Sequence, residues 1–449
     1  MLNPTRFVKA AAYFVERIAL SILLLGPAVG MFYPPESYFS PQDFSLTATP
    51  LTITVPYSRY INTVMIAWLA FWAYNRQRQV PRAMFRIWPV LLFILWMLFT
   101  TSYSSDPAGA FNKAVRTLCL AIFASALVDL YSTRVITRYL SICGITLMLA
   151  STVAVVILPS YALTTLVGYE GAWRGATIHK NTLGPAAAVL IIQLFFLYRW
   201  RIMGLSPMLI CVSFSAFVIV KSQSSTSLVM LLFGVFLCIC LISVTKLKGA
   251  LPRIVTVLLL FCVASALILS PIAGVLFELT GREATLTGRT DIWSLIWELI
   301  QRRPFTGYGS NFWAADSALR TEIWIRLNWA TPHAHNTLLD LTFQTGFIGL
   351  SCFLLCSFIF LARAVILIMG QRGDDEILWP IIASMFIFRG ITETQFVEPG
   401  SSAWFLFTLG FASLSKNLAP KKTATSLALR SRAVSDLSES GGIPKALEI

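Results

Sequence analysis

The side chains best suited to chemistry in this 449-residue chain are its three histidines, His179, His333 and His335, each set among basic residues in an otherwise apolar sequence. His333 and His335 stand two positions apart, with Arg289, Arg302, Arg303, Arg320 and Arg326 in the same stretch. A neutral imidazole accepts a proton and a guanidinium grips phosphate through a two-pronged fork, so this combination suits a general base beside a phosphate. His335 is the candidate base. The second stretch, GAWRGATIHKNTLGP at 171–185, places Arg174, His179 and Lys180 among Gly171, Gly175 and Gly184. Arginine would act there as a fork and lysine as a point charge. Paired on one face, the two stretches make a candidate diphosphate clamp. The same residues also have a structural reading, as interfacial hydrogen-bonding anchors and snorkelling cations. Metal binding would need more, because HxH supplies two ligands and a third would have to come from Asp291, Asp316 or Asp340. No metal and no cofactor is assigned.

The elements that must position these groups are membrane helices. Hydrophobic residues make up 56% of the chain and charged ones 12%, with a mean hydropathy of +0.72, far from a soluble domain. Segments long enough to span a bilayer, about 20 mostly apolar residues, recur at 13–32, 54–74, 87–101, 114–131, 139–158, 182–198, 207–220, 228–244, 254–276, 338–368, 377–388 and 403–415. The expected fold is therefore an all-α polytopic membrane protein of about 12 transmembrane helices with a large outer, periplasmic loop carrying amphipathic helices. The last two segments are short enough to form a hairpin buried against the bundle. Residues 1–276 read as an N-terminal bundle of about nine helices, 277–337 as the loop, 338–415 as C-terminal helices and 416–449 as a disordered cytoplasmic tail. No internal repeat is visible.

Lysine and arginine set the expected orientation, because positively charged short loops stay in the cytoplasm. With the N-terminus inside, fourteen such residues fall on short cytoplasmic segments and seven on short outer ones, placing both termini in the cytoplasm and 277–337 outside. The net charge of +14 is then a topology signal with some attraction to anionic lipid, and gives no reason to expect nucleic acid. The N-terminal apolar stretch is expected to be a retained span, since Glu16 and Arg17 interrupt its start and no small-x-small cleavage site follows. All eight cysteines lie inside expected spans and read as small core hydrophobes.

Within the loop, Asp291 to Arg303 carries apolar residues at Ile292, Leu295, Ile296, Leu299 and Ile300, which predicts an amphipathic helix ending at Pro304 and Gly307. Trp293 and Trp297 beside the stripe place it at the membrane interface, either packed on the bundle or as a roof over the head group of a lipid-anchored substrate. Thr331-Pro332 reads as a helix start, which would put His333, His335 and Asn336 in the first turn of the next span.

The segments WRGATIHKN, LTGRTDIW, RRPFTGYGSNFW and HAHNTLLDLTFQTGFIG together resemble the O-antigen ligase and Wzy-type polymerase superfamily, with most likeness to ExoQ-like exopolysaccharide polymerases. Its signature is a histidine, then Asn, Ser or Gln, nine residues and Gly-x-x-Gly, met here by His335, Asn336, Thr337 to Thr345, Gly346 and Gly349. The resemblance implies metal-independent inverting glycosyl transfer on the outer face of a bacterial plasma (inner) membrane, from an undecaprenyl-diphosphate-linked oligosaccharide. His335 would deprotonate the acceptor hydroxyl, while Arg174 and Arg289, then Lys180, would stabilise the leaving diphosphate. His179, His333, Asn336, Arg303 and Tyr308 join the substrate-binding set. Lys221 replaces the arginine that many relatives carry in the Ser-rich turn Lys221 to Ser227, and Glu393 or Glu398 could bond the acceptor. Implied partners are membrane lipid, a flippase and a chain-length regulator.

A ligase shares this chemistry but transfers the chain to a lipid A core, and the HAHN form favours the polymerase. A secondary transporter is the alternative of another class. Transporters place ionisable groups at the membrane midplane, whereas polarity here gathers at one loop.

Overall fold

The computed structural model describes residues 56–164, 169–177, 179–247, 289–328, 330–370, 374–396 and 401–418, with Gly249 and Pro252. The expected spans at 13–32 and 254–276, the loop's start at 277–288, Glu398 and the tail beyond 418 lie outside the described residues. Among the described residues the structure is helical, with an isolated antiparallel bridge between Leu163 and Trp173 and no strand.

Thirteen α-helices of seven or more residues organise the described residues, numbered in order. They are α1 (Pro56–Asn75), α2 (Val80–Arg86), α3 (Trp88–Thr100), α4 (Pro107–Leu130), α5 (Thr133–Ile157), α6 (Lys180–Arg199) and α7 (Leu205–Ser222). Then follow α8 (Ser225–Lys246), α9 (Arg289–Arg302), α10 (Ala318–Leu327), α11 (Thr337–Met369), α12 (Leu378–Arg389) and α13 (Ser402–Leu418). Five of these, α5, α6, α7, α8 and α11, are long and apolar enough to cross a membrane, or six if the bent pair α2–α3 is one span. This is a multi-pass membrane protein. The expected count of twelve is not reached among the described residues, because several apolar stretches form helices too short or too polar to qualify. α12 has 12 residues, or about 18 Å at 1.5 Å per residue, well under a hydrocarbon core of about 30 Å. It packs against α13, and both are buried along most of their length, as expected for a hairpin held by the bundle.

α6 is the central helix, with Leu183, Ala187, Ala188, Leu190, Leu194 and Phe196 all buried against α5, α7 and α8. A second core lies around α9. Ile292, Leu295, Ile296, Leu299 and Ile300 turn inward at the predicted spacing and pack with Phe312, Ile323 and Phe343. The helix α10, which no apolar periodicity in ALRTEIWIRL had announced, closes over this core.

α11 departs from the expected single span. Its 33 residues would measure about 50 Å, too long for one crossing, and the chain breaks at Gly346, where φ is 68° and ψ is −179°. The first segment, 337–345, buries Asp340, Thr342, Gln344 and Thr345, and the apolar remainder forms the span. A broken helix strands backbone donors and acceptors, and in an apolar setting these must find partners. The PFTGYG strip supplies them. Phe347 N donates to Pro304 O at 2.7 Å, Tyr308 N to Phe343 O at 3.0 Å and Gly309 N to Gln344 O at 2.9 Å. Trp96 Nε1 takes the Thr345 carbonyl at 2.7 Å.

Two glycines permit this contact. A Cβ on Gly346 would lie 2.0 Å from Phe305 O, and one on Gly307, where φ is also 68°, 2.6 Å from Phe343 O. Gly346→Ala is therefore expected to cost more than about 2 kcal/mol, from left-handed strain and overpacking together. Gly204→Ala, at φ −74° with its nearest neighbour atom 3.6 Å away, should change little. Melting temperatures of the purified full-length variants check this: a fall confined to Gly346→Ala is expected.

Candidate active site

Glu393, on the 390–396 segment between α12 and α13, draws the two polar stretches together. Its carboxylate is buried, at 5% side-chain exposure, so each oxygen must find a partner. Oε1 accepts from Asn181 Nδ2 at 3.1 Å and from Arg289 Nη2 at 3.2 Å. Oε2 lies 3.4 Å from His335 Nδ1. Arg389, one helical turn earlier and also buried, directs Nη2 to the Asn181 carbonyl at 2.6 Å. Side chains from the starts of α6 and α9, the end of α12 and the turn before α11 thus meet at one acid.

The turn carrying the two histidines is fixed mostly through its backbone. Trp293 Nε1 donates to Ala334 O at 2.9 Å and Trp324 Nε1 to Thr331 O at 3.0 Å, so two loop tryptophans serve as staples. Thr331 Oγ1 donates to His333 O at 2.7 Å. His335 has φ 52°, the sparsely populated left-handed region. That backbone cannot continue a helix, so the expected start at Thr331-Pro332 is displaced to Thr337. Asn336 caps it, with Oδ1 accepting from Leu339 N at 3.0 Å and Nδ2 donating to Ile391 O at 3.0 Å.

The expected substrate residues consequently divide. His179, His333, His335 and Arg289 gather with Glu393, joined by Asn181 and Arg389, which the sequence had not singled out. Asn336 belongs to the same turn, where its amide caps α11 and bonds the Ile391 carbonyl. Lys180 is buried beside His179, with Nζ 3.3 Å from Gln223 O and 3.2 Å from the Tyr169 ring centroid. Arg174 turns onto Tyr161, with its guanidinium 4.7 Å from the ring centroid. Lys221 is exposed and runs toward Phe217, 5.7 Å from that ring. The Ser-rich turn it precedes does reach the site, through Ser224 Oγ to Asn181 Oδ1 at 3.1 Å. Arg303 and Tyr308 follow the other end of α9, whose 14 residues span about 20 Å. Tyr308 donates to Leu299 O at 3.0 Å, and its ring lies tilted against Phe343 with centroids 5.0 Å apart.

Electrostatics sort the ionisable groups. Burial opposes a charge on Glu393, yet His335, Arg389 and Arg289 together hold its carboxyl well below the usual range, so it is ionised. Burial pushes the His333 imidazole down to about 3, helped by His335, His179 and Arg289 against Glu393. Burial likewise takes His179 down to about 4, opposed by Glu393 and assisted by Lys180, His335 and Arg389. Both rings are neutral near pH 7. His179 Nδ1 accepts from Asn181 N at 3.1 Å and His333 Nδ1 from His335 N at 3.2 Å, which leaves each of those neutral rings with its proton on Nε2.

His333, His335 and Glu393 each offer a ligand atom within 4.8 Å of the other two, the third ligand coming from Glu393 and from none of Asp291, Asp316 and Asp340. The donor set is poorly prepared for a cation. The His333 lone pair is already used by the His335 amide, coordination through Nε2 would require the other tautomer, and two guanidinium groups already neighbour the acid.

Residues 210–354 match the family described as O-Antigen ligase. Over 339 residues, 72% of this chain and 76% of the relative, the sequence is 23% identical to the exopolysaccharide production protein ExoQ of Rhizobium meliloti (strain 1021). The resemblance to the O-antigen ligase and Wzy-type polymerase superfamily, ExoQ-like, thus rests on two separate findings. The family match includes Arg289, His333, His335, Gly346 and Gly349, and stops short of His179, Arg389 and Glu393 at its two ends.

The charge states carry a pH dependence. A histidine lowered on folding binds its proton more readily in the unfolded chain, so its stabilising contribution is complete above about pH 6.5 and is lost as pH falls toward the folded value. For His179 and His333 the windows run from about 6.5 down to about 4 and about 3. Glu393 adds a loss of the same sign below its unfolded value of about 4.3. Each histidine contributes a slope of up to about 1.4 kcal/mol per pH unit, and His333→Gln should flatten the stability profile between pH 6 and 4. Thermal unfolding of wild type and variant across that range tests the assignment, and parallel profiles would refute it.

Proposed function

We propose that this multi-pass protein of O-antigen ligase likeness is a polysaccharide polymerase, joining undecaprenyl-diphosphate-linked oligosaccharide units at the periplasmic face of the bacterial inner membrane. The observation that carries the reading is the 3.4 Å approach of His335 Nδ1 to the buried, ionised Glu393. A carboxylate there favours the tautomer with the proton on Nδ1, and so leaves the Nε2 lone pair for a substrate hydroxyl. The same acid stabilises the imidazolium that forms, the role of the buried carboxylate in any such dyad.

The transfer is then a single inverting displacement. The acceptor hydroxyl passes its proton to His335 Nε2 as its oxygen bonds to the anomeric carbon of the donor sugar. The bond from that carbon to the diphosphate oxygen breaks on the opposite side, so configuration inverts and the lipid diphosphate leaves. His335 then gives its proton to solvent. Arg289, with 24% of its side chain exposed beside Glu393, is placed to meet negative charge growing on the leaving group. Lys180, the first residue of α6, is buried beside His179 and adds positive charge on that side, whereas Arg174 is held on Tyr161. No activated nucleotide enters the scheme, because the diphosphate already activates the sugar.

Two other readings remain to be separated. The matched family's description favours a ligase, which would use the same base and a lipid A core as acceptor. A transporter would put its ionisable groups in the middle of the spans.

His335→Ala is expected to reach the membrane at normal level and to abolish the polymer in a deletion strain. Glu393→Gln, which keeps the shape and removes the charge, should lower turnover by about 10²-fold or more, a typical size for loss of acid–base assistance. The size distribution and lipid attachment of the surface polysaccharide decide among the readings. Single repeat units without long chains mark a polymerase, and long chains stranded on the carrier lipid mark a ligase. Unchanged carbohydrate with a solute failing to cross marks a transporter.

A further inference from the structure

We infer that a second lipid-linked substrate, the acceptor, docks in the apolar groove that Phe305 forms with Phe347, Ile348, Ser351, Cys352 and Leu355, with its diphosphate at Arg303. This rests on the polymerase reading, which needs two lipid-linked sugars at once.

The groove is a consequence of the break in α11. Where the helix axis is interrupted at Gly346, the Phe305 backbone is pressed into the notch and its ring stands off the span, 67% exposed. The trough between ring and span is open along one side and has a volume of about 420 Å³. Its lining is apolar, and Trp297 on α9 continues the apolar surface, with its ring 6.5 Å from that of Phe347 and 48% of its surface exposed. A prenyl chain suits such a surface.

Charge at the rim favours a lipid with an anionic head. Arg303 stands two residues before Phe305, exposed, with its guanidinium 5.3 Å from the Tyr308 ring centroid. Among the described residues it has no carboxylate partner, whereas its neighbour Arg302 is paired with Glu298 at 2.6 Å. An arginine held on an aromatic ring at a membrane interface is ready to bind phosphate oxygens.

Separation then distinguishes acceptor from donor. A donor must place its diphosphate at the reacting carbon, beside Arg289 and His335. An acceptor presents the far end of its oligosaccharide there, so its diphosphate must sit one repeat unit away. Arg289 and Arg302 mark the two ends of α9, about 20 Å apart, which is the reach of a short oligosaccharide. The amphipathic helix thereby sets the distance between the two head groups.

The test uses the purified full-length protein with undecaprenyl diphosphate as probe, and native mass spectrometry to count bound lipid. Wild type should hold two molecules. Arg303→Glu and Ser351→Trp should each hold one, and Leu355→Trp, which fills the groove from a different turn, should agree with them. In cells all three should lower polymer at least tenfold at unchanged membrane level and elution profile. Two bound lipids and normal polymer in these variants would overturn the inference, as would displacement of the second molecule by phosphatidylglycerol at equal concentration, the mark of ordinary surrounding lipid. Loss of polymer in His335→Ala alongside normal groove variants would remove the groove and leave the polymerase standing. Normal polymer in His335→Ala would remove the reading beneath both.

Discussion

A carboxylate buried where water cannot solvate it is the constraint to which the rest of this site answers. Taking Glu393 out of water without partners would cost several kcal/mol, and the structure offsets this with Arg289, Asn181 and His335 brought from three separate parts of the chain, together with the charge of Arg389 four residues earlier. Because the acid is satisfied only when these distant groups arrive, ionising it and assembling the site become one event. The backbone obeys the same logic. Thr337 Oγ1 donates to Glu393 O at 2.9 Å and Thr337 N to Gly390 O at 2.7 Å, so the strip that carries the acid is laced to the start of α11. The histidine turn and the acid cannot drift apart without breaking bonds on both sides.

A second polar network lies behind the first. Lys113 on α4 donates to Gln344 Oε1 at 3.4 Å, Gln344 Nε2 donates to Asp340 Oδ1 at 3.1 Å, and Trp313 Nε1 donates to the same oxygen at 2.7 Å. Asn311 joins through its amide to Gln344 Oε1 at 3.0 Å and through Nδ2 to Asp106 Oδ2 at 3.1 Å. These residues tie the first segment of α11 to α4 and to the 311–313 strip, giving the short polar segment that follows the histidine turn a rigid support.

Much of this was legible in the sequence, and what was hidden was hidden for physical reasons. The amphipathic stripe from Ile292 to Ile300 has a period that allows one reading, and its burial follows that period residue for residue. The pairing of the His179 stretch with the His333–His335 stretch was also legible, since both gather polarity at the ends of apolar segments. Glu393 was legible only as a possible hydrogen-bonding group for the acceptor, and its place at the centre of the cluster was not, because a lone acid between two apolar helices looks like any boundary charge until distant partners are brought to it. Arg389 was masked in the same way by its place at the end of an apolar helix. The start of α11 misled because Thr331-Pro332 and Asn336 both resemble caps, and local sequence cannot say that His335 takes a left-handed backbone between them. The break at Gly346 was concealed by continuous hydropathy, which measures apolarity and is blind to φ.

That break gives the spacing between His335 and Gly346 a geometric meaning. The interval contains the nine residues 337–345, one rigid segment of helix with the histidine turn at one end and the notch at the other. Each residue of an α-helix turns the axis by about 100° and advances it about 1.5 Å. Removing or adding one residue would therefore swing the notch, with the span below it, through roughly a quarter turn relative to the base, while exchanging side chains within the interval would leave the angle intact. The interval works as a phase setting, and its length records an angle more faithfully than a distance.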